Sequence, residues 1–446
     1  MSRLLTVYAT AASTRVLTIL LAVISKAFVD DYDSSAETIL LGSSTALIPN
    51  KLLYQFFSVF VRWDAFYYLH IAENGYVYEQ EHAFFPMLPL LSRLVSDTVL
   101  SPFKYVIGDQ YTLVLSGVLV SNISFVLAAG VLYKLSNNVF HGNETLAYLS
   151  ALAFALSPAS MFITSFYSES LFALLTFTGM LCVSRQQYIR ASVVWGIASA
   201  TRSNAVMYAG YIVYDLVVRN YIRHRSVKNA IAGLTLAMGC TMLVCLGFIT
   251  FQVYGYHLYC ILDDRPWCQQ TIPLMYPFVQ KFYWGNGFLA YYELKQIPNF
   301  LLASPIIMIS CYGIWSYISF DKSRFWTIGM KSDIEQLDVA PASEEKDEGV
   351  EEVPISSGFL SDKTLPHIYL WAILVIIVVT SMHVQIVTRF FSCLPVLYWF
   401  IGHVWMTTLT PTASKSQKLI AKSILYYQIL YGLVGIVLFA SFFPPA

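Results

Sequence analysis

Charge is scarce in this chain. Of its 446 residues only 12% are Asp, Glu, Lys or Arg, against about 25% in soluble domains. An ordinary soluble globular fold is thereby excluded. Acids and bases balance at 27 each, so no net field points to nucleic acid. The ~10-residue alternating segments of a membrane β-barrel are missing. A four-ligand zinc pattern is missing too. Five of the seven cysteines, Cys182, Cys240, Cys245, Cys311 and Cys393, sit in apolar runs. The other two, Cys260 and Cys268, flank ILDDRPW in a polar loop. On a lumenal face they could pair, but spacing alone does not fix a disulfide. No internal repeat is visible, which weighs against transporter folds built from two related halves. The N-terminal apolar run carries Arg15 and lacks a small-x-small cleavage site, so it reads as a retained span rather than a signal peptide.

What is abundant is apolar sequence: 57% of residues, with a mean hydropathy of +0.59. Runs near the ~20 residues needed to cross a bilayer recur along the whole length. The fold class is an all-α polytopic membrane protein, a single membrane domain over 1–446. Spans are expected near 8–29, 111–134, 145–163, 166–184, 229–252, 299–320, 366–384, 390–408 and 421–441. Residues 189–218 hold Arg202 in their middle, and two shorter helices meeting near ATRSNA keep the parity of the crossings. That makes about eleven passes. Arg15 and Lys26 are expected to snorkel toward opposite faces.

Basic residues cluster at Arg185/Arg190, at Arg219 to Lys228, at Lys322 to Lys331 and at Lys415 to Lys422. The positive-inside rule assigns these to the cytosol. From 30 to 109 the chain has ten acids against four bases and belongs on the lumenal side. Residues 30–110 form the first lumenal loop, and 253–298 a second, rich in Tyr and Trp. Residues 321–364 form a cytosolic linker, acidic and free of aromatics over 333–353, a composition typical of disorder.

The first loop contains RWDAFYYLHIAENGY. A short helix ending at Asn74-Gly75 presents Asp64, Tyr67, Tyr68 and Ile71 on one face. Trp63 and the tyrosines suit a membrane-interface belt. Asp64 either caps this helix or pairs with an arginine, or it is a catalytic carboxylate where lipid meets water. Glu79, Glu81 and His82 are expected to be solvated. Arg202 suits a phosphate, or it pairs with an acid such as Glu169. Glu169 is either a carboxylate favoured by its helix N-terminus or a sugar ligand. His383, Gln385 and Arg389 share a tight turn between spans, a candidate anionic headgroup site. Gln296 precedes a span whose first turn holds Pro298.

Several of these segments resemble one family. RWDAFYYLHIAENGYVYE, AFFPMLP, LSPASMFITSFYSESLFALL, ATRSNA, YWGNGFLAYYELKQIPNFLLASP and MHVQIVTRFFSCLPVLYWF are similar to the GPI mannosyltransferase 2 (PIG-V) family, spread from residue 62 to 400. The resemblance implies an endoplasmic-reticulum enzyme of the GT-C class with a lumenal active site. It implies transfer of the second mannose, α-1,6, from dolichyl phosphate mannose to the monomannosylated glucosaminyl-phosphatidylinositol precursor, with inversion and without a metal or other cofactor. Asp64 stands where that class places its acidic residue and would be the base. Arg202 and Arg389 would hold the donor phosphate, while Trp63, Tyr67, Glu169, His383, Gln385 and Gln296 would shape the acceptor site. A small membrane partner subunit, as in fungal relatives, is also implied. The competing readings are a lipid or sugar transporter, a scaffold subunit, and another mannosyltransferase using the same donor.

Overall fold

The computed structural model describes residues 2–33, 37, 40, 48, 50–261, 265–332 and 358–444. The acidic stretch expected to be a linker, 333–353, lies outside them. Every regular element among the described residues is helical. The longer ones are α1 (Arg3–Phe28), α2 (Asn50–Phe57), α3 (Ala65–Asn74), α4 (Met87–Asp97), α5 (Asp109–Val139), α6 (Glu144–Ala155) and α7 (Glu169–Ser184). They continue with α8 (Tyr188–Ser199), α9 (Val227–Tyr259), α10 (Met275–Phe282), α11 (Ile297–Phe320), α12 (Leu365–Ser381), α13 (Pro395–Thr407) and α14 (Lys415–Ala440).

Six described helices, α1, α5, α9, α11, α12 and α14, are long and apolar enough to cross a bilayer. Val384–Cys393 and α13, bent by 82°, add a seventh if they form one broken span. The expected eleven passes all contain helix, but they are not eleven span-length helices. With 12 and 16 residues, α6 and α7 reach only ~18 and ~24 Å at ~1.5 Å per residue. Between them Pro158 interrupts the ladder. Side chains then take up freed carbonyls, Thr164 Oγ1 donating to Ser160 O at 2.8 Å and Ser170 Oγ to Ile163 O at 2.6 Å. Irregular backbone at membrane depth is tolerated where protein surrounds it. The break expected near ATRSNA is present: Arg202 is extended (φ −156°, ψ 141°) between α8 and a 3₁₀ segment, Ser203–Tyr208.

Arg15 does not snorkel. It is buried, and its Nη1 donates to Ser160 O at 3.0 Å and Thr164 Oγ1 at 2.7 Å, with its guanidinium over the Phe125 ring. The irregular 156–168 segment offers it partners closer than water. Small residues allow close helix approach: at Gly179 on α7 a Cβ would overlap the Trp195 indole of α8.

Three elements set the position of the site. α7 begins at Glu169, α8 ends next to Arg202, and α12 ends next to His383. These termini share one end of the bundle with α3 and α10.

Candidate active site

Asp64 opens α3 directly after Trp63, whose φ of 53° is left-handed. Such a backbone in a bulky residue costs ~1–3 kcal/mol and persists only where surroundings enforce it. Here Arg62 is fully buried, and its Nε and Nη2 donate to Ala440 O at the end of α14. Nη2 also donates to Asp31 at 2.8 Å. The Trp63 ring packs on Phe442, centroids 5.0 Å apart. Tyr167 donates its hydroxyl proton to Arg62 O at 2.9 Å and accepts the Asp64 N–H at 3.1 Å. Asp64 is thus tied through its backbone to both flanks.

The Asp64 side chain makes no cap bond to α3. It accepts from Arg389 Nη1 at 2.5 Å. Arg389 Nε lies 3.9 Å from Glu169 Oε1, and that oxygen accepts from Arg202 Nη1 at 2.7 Å. Acid and base therefore alternate: Asp64, Arg389, Glu169, Arg202. Aromatic faces flank both cations, Phe162 and Tyr167 beside Arg389, Phe172 and Phe390 beside Arg202. Glu169 is 3% exposed, whereas Asp64 keeps 22% of its side chain open. The helix N-terminus and the pairing with Arg202 both act on Glu169.

All four line one cavity of about 510 Å³, as do His383 and Gln385. His383 Nε2 bonds the Trp284 carbonyl at 2.8 Å and its ring stacks on Tyr291. Tyr291 donates to Gln385 and accepts from Asn299, which also donates to Gln296. Gln296 thus reaches the site through Asn299 and Tyr291 and does not line the cavity. Tyr67 and Trp63 do not line it either. Tyr67 stacks on Phe84 at 4.7 Å and meets Trp284 edge-on, and those two rings form the cavity wall.

The lining also includes Asn204, Tyr276, Trp284 and Asn286, which the sequence did not single out. Tyr276 accepts from Ser203 at 2.9 Å. Glu169 Oε2, Asn204 Nδ2, Trp284 Nε1 and Asn286 Oδ1 are buried without a hydrogen-bond partner. Two donors and two acceptors in one wall suit a polyhydroxylated ligand, since buried polar groups are normally paired. Asn204 and Asn286 carry no periodic signal; their place within ATRSNA and YWGNG was the available clue.

Glu79, Glu81 and His82 are buried, contrary to expectation. Glu79 accepts from Trp267 Nε1 at 2.8 Å, Tyr283 Oη at 2.7 Å and the Arg265 guanidinium. Burial raises its pKa, but these three donors outweigh it and hold the carboxyl below its usual range. Glu81 accepts the Val77 and Tyr78 amides and bonds His70. Burial lowers His82 to about 4. The partners of Glu79 come from the second loop, which a disulfide between Cys260 and Cys268 closes. Glu79 therefore clamps one loop on the other above the cavity. Among the described residues no group of three His, Cys, Asp or Glu comes together as a metal site.

An apolar groove of about 720 Å³ backs onto this cavity, between α3, α4, α8 and α9. Phe85 and Thr201 face the cavity; Pro86 and Ala200, their neighbours in sequence, face the groove. Apolar helices long enough to span, a charged cavity beside an apolar groove, and a part-open carboxylate lining that cavity are what chemistry on a lipid-linked substrate requires. The family model described as Mannosyltransferase (PIG-V) matches residues 3–446, and the chain belongs to that family. Human GPI alpha-1,6-mannosyltransferase 2 is 31% identical over 427 residues, covering 88% of this chain and 82% of the human one. The rat protein of the same name is 30% identical, with 97% of each chain covered. GPI mannosyltransferase 2 of Aspergillus fumigatus is 29% identical over 93% of this chain and 88% of the fungal one. Among solved structures, the archaeal oligosaccharyltransferase AglB from Archaeoglobus fulgidus aligns at TM-score 0.48 and 10% identity, over 98% of this chain and 56% of that one.

Proposed function

We propose that this chain transfers a mannosyl group from dolichyl phosphate mannose to the 6-hydroxyl of the monomannosylated glucosaminyl-phosphatidylinositol precursor, forming an α-1,6 bond with inversion. The observation that carries this reading is the placement of Asp64 beside two arginines in a cavity adjoining an apolar groove. The polyprenyl tail lies in the groove. The donor phosphate passes toward Arg202 and Arg389, whose planar forks suit phosphate oxygens.

Dolichyl phosphate is already a good leaving group, while the acceptor hydroxyl holds its proton. Asp64 takes that proton as the new C–O bond forms and the C–O bond to phosphate breaks. Such help is worth about 10²–10⁴-fold. Arg389 is shared between the reactants: a phosphate oxygen arriving at its guanidinium competes with Asp64 and leaves the carboxylate freer to act as base. The orphaned groups of Glu169, Asn204, Trp284 and Asn286 meet sugar hydroxyls. His383 and Gln385 border the acceptor. Trp63, Tyr67 and Gln296 act by positioning.

The reaction faces the lumen of the endoplasmic reticulum. The Cys260–Cys268 disulfide supports that side, because disulfides persist in oxidising compartments. So does the clustering of bases at the opposite end. The test is transfer of labelled mannose from dolichyl phosphate mannose by the purified full chain, with the product's linkage determined. An α-1,6-linked dimannosyl product is expected. Uptake of mannolipid into vesicles without a new glycosidic bond would establish a transporter instead.

A further inference from the structure

A second polar cavity, of about 350 Å³, lies at the other end of the same helices. Ser184 closes α7, Tyr188 opens α8 and Pro366 lies in the first turn of α12, and all three line it. Along α7 this end is ~23 Å from Glu169 at ~1.5 Å per residue. It is the end where the basic clusters put the cytosol.

Its charge is unbalanced. Arg219, Arg223 and Lys363 face it with one lining acid, Asp215. That acid is already engaged: Asp215 Oδ1 accepts from Arg219 at 2.5 Å and Oδ2 from Tyr188 at 2.7 Å. Arg223 and Lys363 make no ion pair among the described residues; Asp362, next to Lys363 in sequence, forms none with it. His367, 7% exposed, also lines the cavity, and its Nδ1 is buried without a partner. Arg219 ends a π-helical turn, Tyr214–Arg219, a feature frequent at functional sites. Arg223 follows four residues later on the same face.

We propose that this cavity binds a phosphate group, carried either by an anionic lipid headgroup or by a soluble phosphate. Two cations without a close ion pair, with Arg219 able to share its remaining donors, match a dianion better than a single carboxylate. A basic pocket between spans at the cytosolic boundary is placed to meet phosphorylated headgroups. The site is separate from the sugar cavity and does not depend on the reaction assigned there.

The experiment uses the purified full chain. One arm titrates inorganic phosphate against chloride at matched ionic strength and reads thermal stabilisation. The other compares nanodiscs of phosphatidylcholine with and without phosphatidylinositol phosphate. Saturable binding in either arm is expected; the soluble arm identifies free phosphate, the nanodisc arm alone a headgroup. The double variant Arg223→Gln, Lys363→Gln should weaken it about tenfold or more, since it removes two charge-assisted contacts from the cavity. Asp215→Asn should tighten it a few-fold by removing the competing acid. Lys228→Gln with Lys322→Gln, equally basic but outside the cavity, should leave it unchanged. Absence of saturation in both arms, or equal losses in the cavity and control variants, would overturn the proposal.

Discussion

The two ends of α7, α8 and α12 carry similar residues in opposite arrangements. At one end two arginines alternate with two carboxylates, and the cluster is neutral as a set. At the other, three cations surround one acid that is already paired. Aromatic rings flank both arginines of the neutral cluster; the cationic one lies at the opposite ends of the same helices. Pairing makes buried charge tolerable in an apolar chain. In the proposed reaction it would also supply a base and two anion holders that exchange partners. Charge left unpaired at a boundary makes an attractive field, but it places no atom for bond-making.

Breaking the neutral cluster should cost more than perturbing the cationic one. Arg389→Met removes the partner shared by Asp64 and Glu169, and transfer should fall by about 10²–10³-fold, the loss typical of one electrostatic donor at a reacting centre. Single-turnover transfer at saturating donor reads this. Glu169→Gln leaves Arg202 buried without its counter-charge, and a loss of about 3 kcal/mol is expected, read as a lowered Tm in detergent. If its Tm matched the parent's, the pairing would not be structural. Arg202→Lys keeps the charge but loses the planar fork. A rise of roughly tenfold in donor KM is expected, about 1.4 kcal/mol; an unchanged donor KM would remove Arg202 from the phosphate site.

The clamp adds a pH signature. The Glu79 carboxyl is held below its usual pKa by Arg265, Trp267 and Tyr283 against the opposing effect of burial. Its stabilisation is therefore complete above the ordinary carboxylate pKa and is lost as pH falls through the depressed one. Glu79→Gln should cost about 1–3 kcal/mol near neutral pH and flatten the acid side of the stability profile. A parallel downward shift at all pH values would contradict the assigned ionisation.

Ionisable residues in apolar stretches were the legible part of the site. Asp64, Glu169, Arg202, His383, Gln385 and Arg389 stand out because a charge or polar group in such a setting must find a protein partner or a cavity. Their convergence was not legible, since Asp64 and Arg389 are 325 residues apart. The burial of Glu79 was missed for the same reason: Arg265 and Trp267 lie 186 and 188 residues away. Tyr67 backs the cavity wall through Phe84 and Trp284 without lining it, and Trp63 packs on Phe442 instead. The helical character was readable from the length of the apolar runs. The count of full spans was not, because Pro158 and the Ser- and Thr-rich 156–168 segment exchange helix length for side-chain bonding. Arg15 was misplaced because snorkelling assumes that water is the nearest polar partner, and here Ser160 and Thr164 are nearer.

The central claim is that one carboxylate accepts the acceptor's proton. Its most direct test is single-turnover mannosyl transfer by purified Asp64→Asn, with donor binding and Tm measured on the same sample. The account predicts a fall of about 10²–10⁴-fold with the fold intact and donor still bound. Near-normal transfer of the α-1,6-linked product by that variant would contradict it.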